Sequence, residues 1–282
     1  MTDYLTLDLE SVLNPKARWT PPEKFKYTEA YKNGEKPIPP PPAQRIVSAC
    51  SVHLKSVGIN NWEPVFIDWG PDLDDLNDDT SDLLDEPREF EMCKRLNDFM
   101  NNLIGCQGGT LITFNGRGFD IPLLCTRCMV FGLDISGWYD SKDFRYRFSD
   151  AGHLDLLDAT SEYGAVYRGR PSLALLCKLA GLPGKVGIDG SMVQAEYDKG
   201  NYKEIRDYCM SDNMDTAIVA LRWMVLRGRI SKKEYTLVVN KILEEACRKD
   251  ENGEPVHAHT CELLEDSRTD YNALFLLNSA RK

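Results

Sequence analysis

The chain opens with a run that mixes apolar and polar side chains, YLTLDL at 4–9, and this predicts a β-strand. Residues 14–44 follow, crowded with prolines and containing PIPPPP at 37–42. Proline lacks the backbone donor and fixes its own φ, so this stretch reads as a long excursion between strands, not as a helix or a central strand. IVSACSVHL at 46–54 and EPVFIDWG at 63–70 predict strands two and three, joined by a turn near Gly58-Ile59-Asn60-Asn61. An acidic stretch at 71–89 predicts a solvated loop. Phe90, Cys93, Leu96, Phe99, Met100 and Leu103 then recur at helical spacing and predict a helix over 88–104. GGTLITFNG gives a glycine turn and a short apolar strand. Asp120-Ile121-Pro122 opens the next helix, with proline in its first turn, where a missing donor costs nothing.

The second half is mostly helical in pattern. HLDLLDAT at 153–160 reads as a short strand or a helix start, and SLALLCKLAGL at 172–182 as a helix ended by Gly181. Residues 204–228 predict a long amphipathic helix stopped by Gly228. Residues 231–249 predict a last helix begun by a capping box, Ser231 with Glu234. Three strands, a helix, a strand and then helices describe an α/β domain with a mixed sheet, its antiparallel meander first. The expected division is one domain over 1–230, carrying the Pro-rich insertion 14–44 and the acidic loop 71–89, followed by a C-terminal helix and polar tail, 231–282.

Composition narrows the function classes. No run approaches the roughly 18 apolar residues of a membrane span. The amino terminus has neither the basic nor the apolar region of a signal peptide. A cytoplasmic chain without a membrane partner is therefore expected, its nine cysteines held as thiols. The net charge of −10 argues mildly against a nucleic-acid partner, whose phosphates favour basic surfaces. Much of that charge lies within 72–91, however, which weakens the objection. Cys125-Thr126-Arg127-Cys128 has no second pair at zinc-finger spacing. KVGIDG at 185–190 lacks the strand–turn–helix context of a phosphate loop.

Three sequence elements carry the chemistry. Asp8 and Glu10 lie two apart on a strand, so both side chains leave from one face. Adjacent like charges beside a core call for neutralisation, which a divalent cation with oxygen ligands supplies. An exposed edge strand with solvated acids accounts for the pair as well. Phe114-Asn115-Gly116-Arg117-Gly118-Phe119-Asp120 runs from strand through turn to helix, and by itself is a capped helix. Tyr208 and Asp212 are four apart, hence neighbours on one helix face.

In order, these elements resemble the motifs of the DEDD 3′–5′ exonucleases: Asp-x-Glu early, Asn-Gly-x-x-Phe-Asp after a later strand, Tyr-x-x-x-Asp on a late helix. The tyrosine subtype is indicated, since position 207 is Asp and no histidine lies between His153 and His257. More narrowly, HLDLLD (153–158), KVGIDGSMV (185–193) and the run 196–217 resemble stand-alone proteins related to the exonuclease domain of family-B DNA polymerases. The resemblance spans roughly residues 4–228 and implies a ribonuclease-H-like fold, a mixed five-stranded sheet flanked by helices. It further implies two Mg²⁺ or Mn²⁺ ions among Asp8, Glu10, Asp120 and Asp212. Asp8 would bridge them, Glu10 and Asp212 would hold the water-bearing ion, and Asp120 the other. Tyr208 would orient that water, and Leu9, Asn115 and Phe119 would touch the terminal nucleotides. Phe119 is equally readable as core packing under the turn. The implied activity is hydrolysis of DNA, single-stranded by preference, to nucleoside 5′-monophosphates. RNA or small nucleotides as substrate, and a non-catalytic nucleic-acid-binding module, are the alternatives. Lys142, Arg145, Tyr146, Arg147 and Phe148, with Arg168 and Arg170, are the basic-aromatic stretches that could line a strand groove.

Overall fold

The computed structural model describes residues 2–28, 32, 37, 39–70, 86–166, 169–180, 190–249, 253, 255 and 261. The acidic loop over 71–85, Arg168, residues 185–189 and nearly all of the tail beyond 249 lie outside them.

Among the described residues six strands form one mixed sheet: β1 (Tyr4–Thr6), β2 (Asp8–Leu13), β3 (Gln44–Gly58), β4 (Asn61–Asp68), β5 (Thr110–Thr113) and β6 (His153–Asp155). Five were expected, and the sixth comes from a break at Leu7. On both sides of that break β1 and β2 face β3 in a single register, from Tyr4 opposite Leu54 to Glu10 opposite Ser48. They are one strand interrupted for a residue. Counted so, the order is β4, β3, β1 with β2, β5, β6. The first three positions run antiparallel and the last two parallel, which is the expected ribonuclease-H-like arrangement.

The helices are α1 (Glu86–Met100), α2 (Asp120–Phe131), α3 (Ser136–Tyr139), α4 (Lys142–Arg145), α5 (Leu156–Thr160), α6 (Leu173–Ala180), α7 (Val193–Asp198), α8 (Tyr202–Leu226) and α9 (Lys232–Ala246). They cover both faces of the sheet. One core joins Leu5, Leu7 and Leu9 to Leu96 of α1 and Leu124 of α2. The other joins Val52 and Leu54 to Leu221 of α8 and to Val238 and Ile242 of α9. The final helix thus buries its apolar stripe in the same core as the sheet, and its capping box is present.

Three expectations need correction. Residues 86–89 are not loop but the first turn of α1, because Glu89 is drawn inside by a two-pronged ion pair with Arg127, 2.6 Å on each prong. The long helix is not amphipathic: α8 is buried without a break from Asp212 to Leu221, since it is packed by the sheet, α6 and α9 from different sides. Finally, Cys247 and Cys261 are joined as a disulfide, their Cα atoms 5.0 Å apart, so the expectation of thiols fails for that pair. Cys50, Cys93, Cys106, Cys125, Cys128, Cys177 and Cys209 are free. No described helix is long and apolar enough to cross a membrane.

Candidate metal centre and active site

Strand alternation builds the first wall of the site. Leu5, Leu7 and Leu9 enter the core beneath α1 and α2, which leaves Thr6, Asp8 and Glu10 to the opposite face, toward α8. Thr6 fixes that helix in place. Its hydroxyl donates to Asn213 Oδ1 at 2.8 Å and accepts from the Val52 amide at 2.8 Å. Asn213 is the next residue after Asp212, and the Cys209 thiol reaches the Asp8 carbonyl at 3.3 Å. The result is a tight acidic group: one ligand oxygen each from Asp8, Glu10 and Asp212, all within 4.8 Å of one another. A β-bulge follows immediately, between Glu10 and Ser11, a device that re-aims a strand at its functional end.

Asp120 arrives from the other side. Strand β5 pairs with β1 up to Thr6 and Ile112, and the Leu7 amide still reaches the Ile112 carbonyl at 3.0 Å. Beyond that point the pairing with β5 ends, and the next inward amide, Leu9, would be an orphan donor. Asp120 Oδ1 accepts it at 2.9 Å. Burial and then the Asp8 charge hold the Asp120 carboxyl well above the usual range, so it stands close to the acidic group without being in its tightest trio.

The loop between β5 and α2 is set by a residue that pattern reading did not single out. Asp155 Oδ1 accepts the amides of Asn115 at 3.0 Å and Leu157 at 3.0 Å, and Oδ2 accepts that of Arg117 at 2.9 Å. One carboxylate therefore caps α5 and pins the Asn115–Arg117 turn. Asn115 sits at φ 67°, a left-handed conformation that asparagine tolerates. Gly116 packs so closely on Thr113 that a Cβ would lie 2.4 Å from its hydroxyl. The signal for Asp155 in the sequence was its place inside HLDLLD, but nothing local says that its oxygens reach back 40 residues to Asn115.

Tyr208 is buried beside these groups at 4 % exposure and hydrogen bonds to the Asp212 carboxylate. Burial first, then Asp212, Glu10 and Asp8, push its phenol up from its ordinary value, so it remains protonated. Leu9, expected against substrate, has its side chain 2 % exposed in the opposite core, so any such contact uses its backbone. Phe119 is half-buried against the α1–α2 core, while Asn115 is exposed.

The donor set suits a hard divalent cation. Three carboxylate oxygens at this separation repel one another unless a cation or protons intervene, and all-oxygen ligation favours hard cations over softer metals.

Residues 72–262 match the family model described as "Predicted 3'-5' exonuclease related to the exonuclease domain of PolB". No curated protein matches the chain. Among solved structures, the family B DNA polymerase from the hyperthermophilic archaeon Pyrobaculum calidifontis superposes with TM-score 0.45 and 12 % identity, over 89 % of this chain and 31 % of that one. With about two-thirds of its length inside the family model, the chain belongs to the family of 3′–5′ exonucleases related to the PolB exonuclease domain.

Proposed function

We propose that this protein is a two-metal 3′–5′ exonuclease that removes nucleoside 5′-monophosphates from single-stranded DNA. The observation that carries the reading is the convergence of Asp8, Glu10 and Asp212 oxygens within 4.8 Å, with Asp120 held one amide away. Asp8, Glu10 and Asp212 would hold one divalent cation, and Asp8 with Asp120 a second. Such ions, when bound, activate water and neutralise charge on the attacking and leaving oxygens of an in-line displacement.

The protein's own residues do the positioning. Tyr208, protonated and bonded to Asp212, can donate or orient but has no capacity as a base near neutral pH, so its role is to align the nucleophilic water. Asp155 clamps the turn that carries Asn115 and leads to Asp120, which sets the wall where the terminal nucleotide would lie. The Leu9 amide fixes the orientation of Asp120 before any ligand arrives.

The test uses 5′-labelled single-stranded DNA and the same sequence as RNA, with Mg²⁺ or Mn²⁺, beside EDTA and Asp8→Ala controls. A metal-dependent ladder that shortens from the 3′ end and vanishes in Asp8→Ala is expected, with DNA degraded faster than RNA. Degradation of RNA alone would move the substrate. No degradation of either by folded protein would overturn the reading.

A further inference from the structure

The turn that begins with Asn115 borders a second cavity of about 600 Å³. Arg117, Arg145, Arg147 and Arg170 line it, with Tyr139 and the acids Asp155 and Asp158. In a chain of net charge −10 this collection of arginines is out of character. The two acids offset only part of it, since four arginines face two carboxylates. Asp155 is occupied by backbone amides. Asp158 is held by both prongs of Arg147, with Arg117 Nε at 4.0 Å. Arg145 lies 3.9 Å from Asp140, but both side chains are largely exposed, so that pairing is weak. Arg145 and Arg170 therefore present positive charge to whatever enters.

The residues that alternate with Arg145 and Arg147 along the chain add aromatic faces. The sequence Arg145-Tyr146-Arg147-Phe148 alternates cation and ring, and Tyr146 and Phe148 are 57 % and 58 % exposed. Their centroids are 5.8 Å apart, and Phe148 continues to Tyr163 at 4.9 Å. Glu162 and Tyr163 both adopt positive φ, 50° and 55°, which side chains other than glycine rarely do. The backbone thus accepts strain where it delivers Tyr163 to this row.

We infer that the cavity and these aromatic residues form a second binding site, for a single strand of nucleic acid upstream of the 3′ end. Arg145 and Arg170 take backbone phosphates, and Tyr146 and Phe148 stack on unpaired bases. Interleaved cations and exposed rings suit single strands, whose base faces are free, better than duplexes, whose faces are already stacked. The direction of the strand rests on the exonuclease reading. The site itself does not.

The test measures anisotropy of a 5′-fluorescein oligo-dT about 12 nucleotides long, in EDTA so that nothing is cleaved. Wild type is compared with Arg145→Ala/Arg170→Ala and Tyr146→Ala/Phe148→Ala, all exposed positions, with thermal melts to verify folding. Each double variant should bind roughly tenfold more weakly, and the arginine pair should also lower the salt slope by about 1.4. Arg145→Lys/Arg170→Lys should recover most of the affinity. In Mn²⁺, KM for the long strand should rise with kcat unchanged, while a trinucleotide is cleaved as by wild type. Unchanged binding by either Ala pair would overturn the proposal, and so would an equal loss on the trinucleotide. Cleavage by wild type combined with unaltered variants would overturn this site and leave the exonuclease standing. Binding that depends on these residues, in a protein that degrades no strand, would do the reverse.

Discussion

Glu89 and the Asp8–Glu10–Asp212 group are both acidic, both largely withdrawn from water, and lie on different elements of one sheet-and-helix core. Glu89 meets Arg127 at 2.6 Å on two prongs and also accepts the Ile46 amide at 2.8 Å. The guanidinium in turn lies over the Phe131 ring, 4.9 Å from its centroid. There the chain supplies its own counter-charge. At the site, three carboxylates approach one another instead, and the Tyr208 phenol is pushed up by all three. A buried acid that folding pairs with an arginine is architecture, whereas acids that folding gathers together form a donor set suited to a divalent cation.

The comparison can be broken most severely at the compensated end. Glu89→Ala leaves Arg127 as a buried charge without its partner, and a loss of about 3–5 kcal/mol is expected in chemical denaturation. A loss below 1 kcal/mol would mean that Arg127 escapes to water and that the pair is not structural. At the gathered end, Mn²⁺ at a hundredfold its dissociation constant should add about 2.7 kcal/mol to wild type, raising its melting temperature. That gain should disappear in Asp8→Ala. A wild-type melt indifferent to Mg²⁺ and Mn²⁺ would show that the acids do not seat a cation.

A third probe is pH. His153 is buried, stacks on Phe144 at 5.0 Å, and is held well below its usual pKa of 6.5 by burial and Arg117. The unfolded chain takes up a proton below that value and the folded one does not. Stability should therefore fall as pH drops below 6.5, with a slope approaching about 1.4 kcal/mol per unit. His153→Gln should flatten that part of the stability–pH curve, and an unaltered slope would place the titration elsewhere. The smallest effect is expected for Asp8→Asn in EDTA. It relieves like-charge repulsion and should melt at or slightly above wild type, within about 1 kcal/mol. A marked loss of stability would mean that Asp8 is chiefly structural.

Much of the site was legible in the chain because its motifs are local. Asp8 and Glu10 share a strand face by the two-residue period, and Tyr208 and Asp212 share a helix face by the four-residue one. What was misread depends on distant partners. The long helix looked amphipathic because its polar residues were counted as facing water, yet Asp212, Asn213 and Asp215 are all 5 % exposed or less. Residues 86–89 looked like solvated loop until Arg127, 38 residues on, claimed Glu89. The same alternation that aims Asp8 and Glu10 at the site turns the Leu9 side chain into the opposite core, which leaves its backbone to face the acids.

The sequence by itself determined most of the secondary elements, the face on which each acid stands, the capping box of α9 and the Gly228 stop of α8. These follow from periods and turn chemistry within a few residues, whereas Asp120 proved to be the first residue of α2 and not its cap. Tertiary structure alone decided that the acids of β2 and α8 would meet, because no local rule measures the distance between elements some 200 residues apart. It also decided that Asp155 would hold the turn at Asn115, and that four scattered arginines would line one cavity. Hydrophobic burial drives that assembly without regard to direction, so the polar groups find their final partners only once the cores on both faces of the sheet have closed.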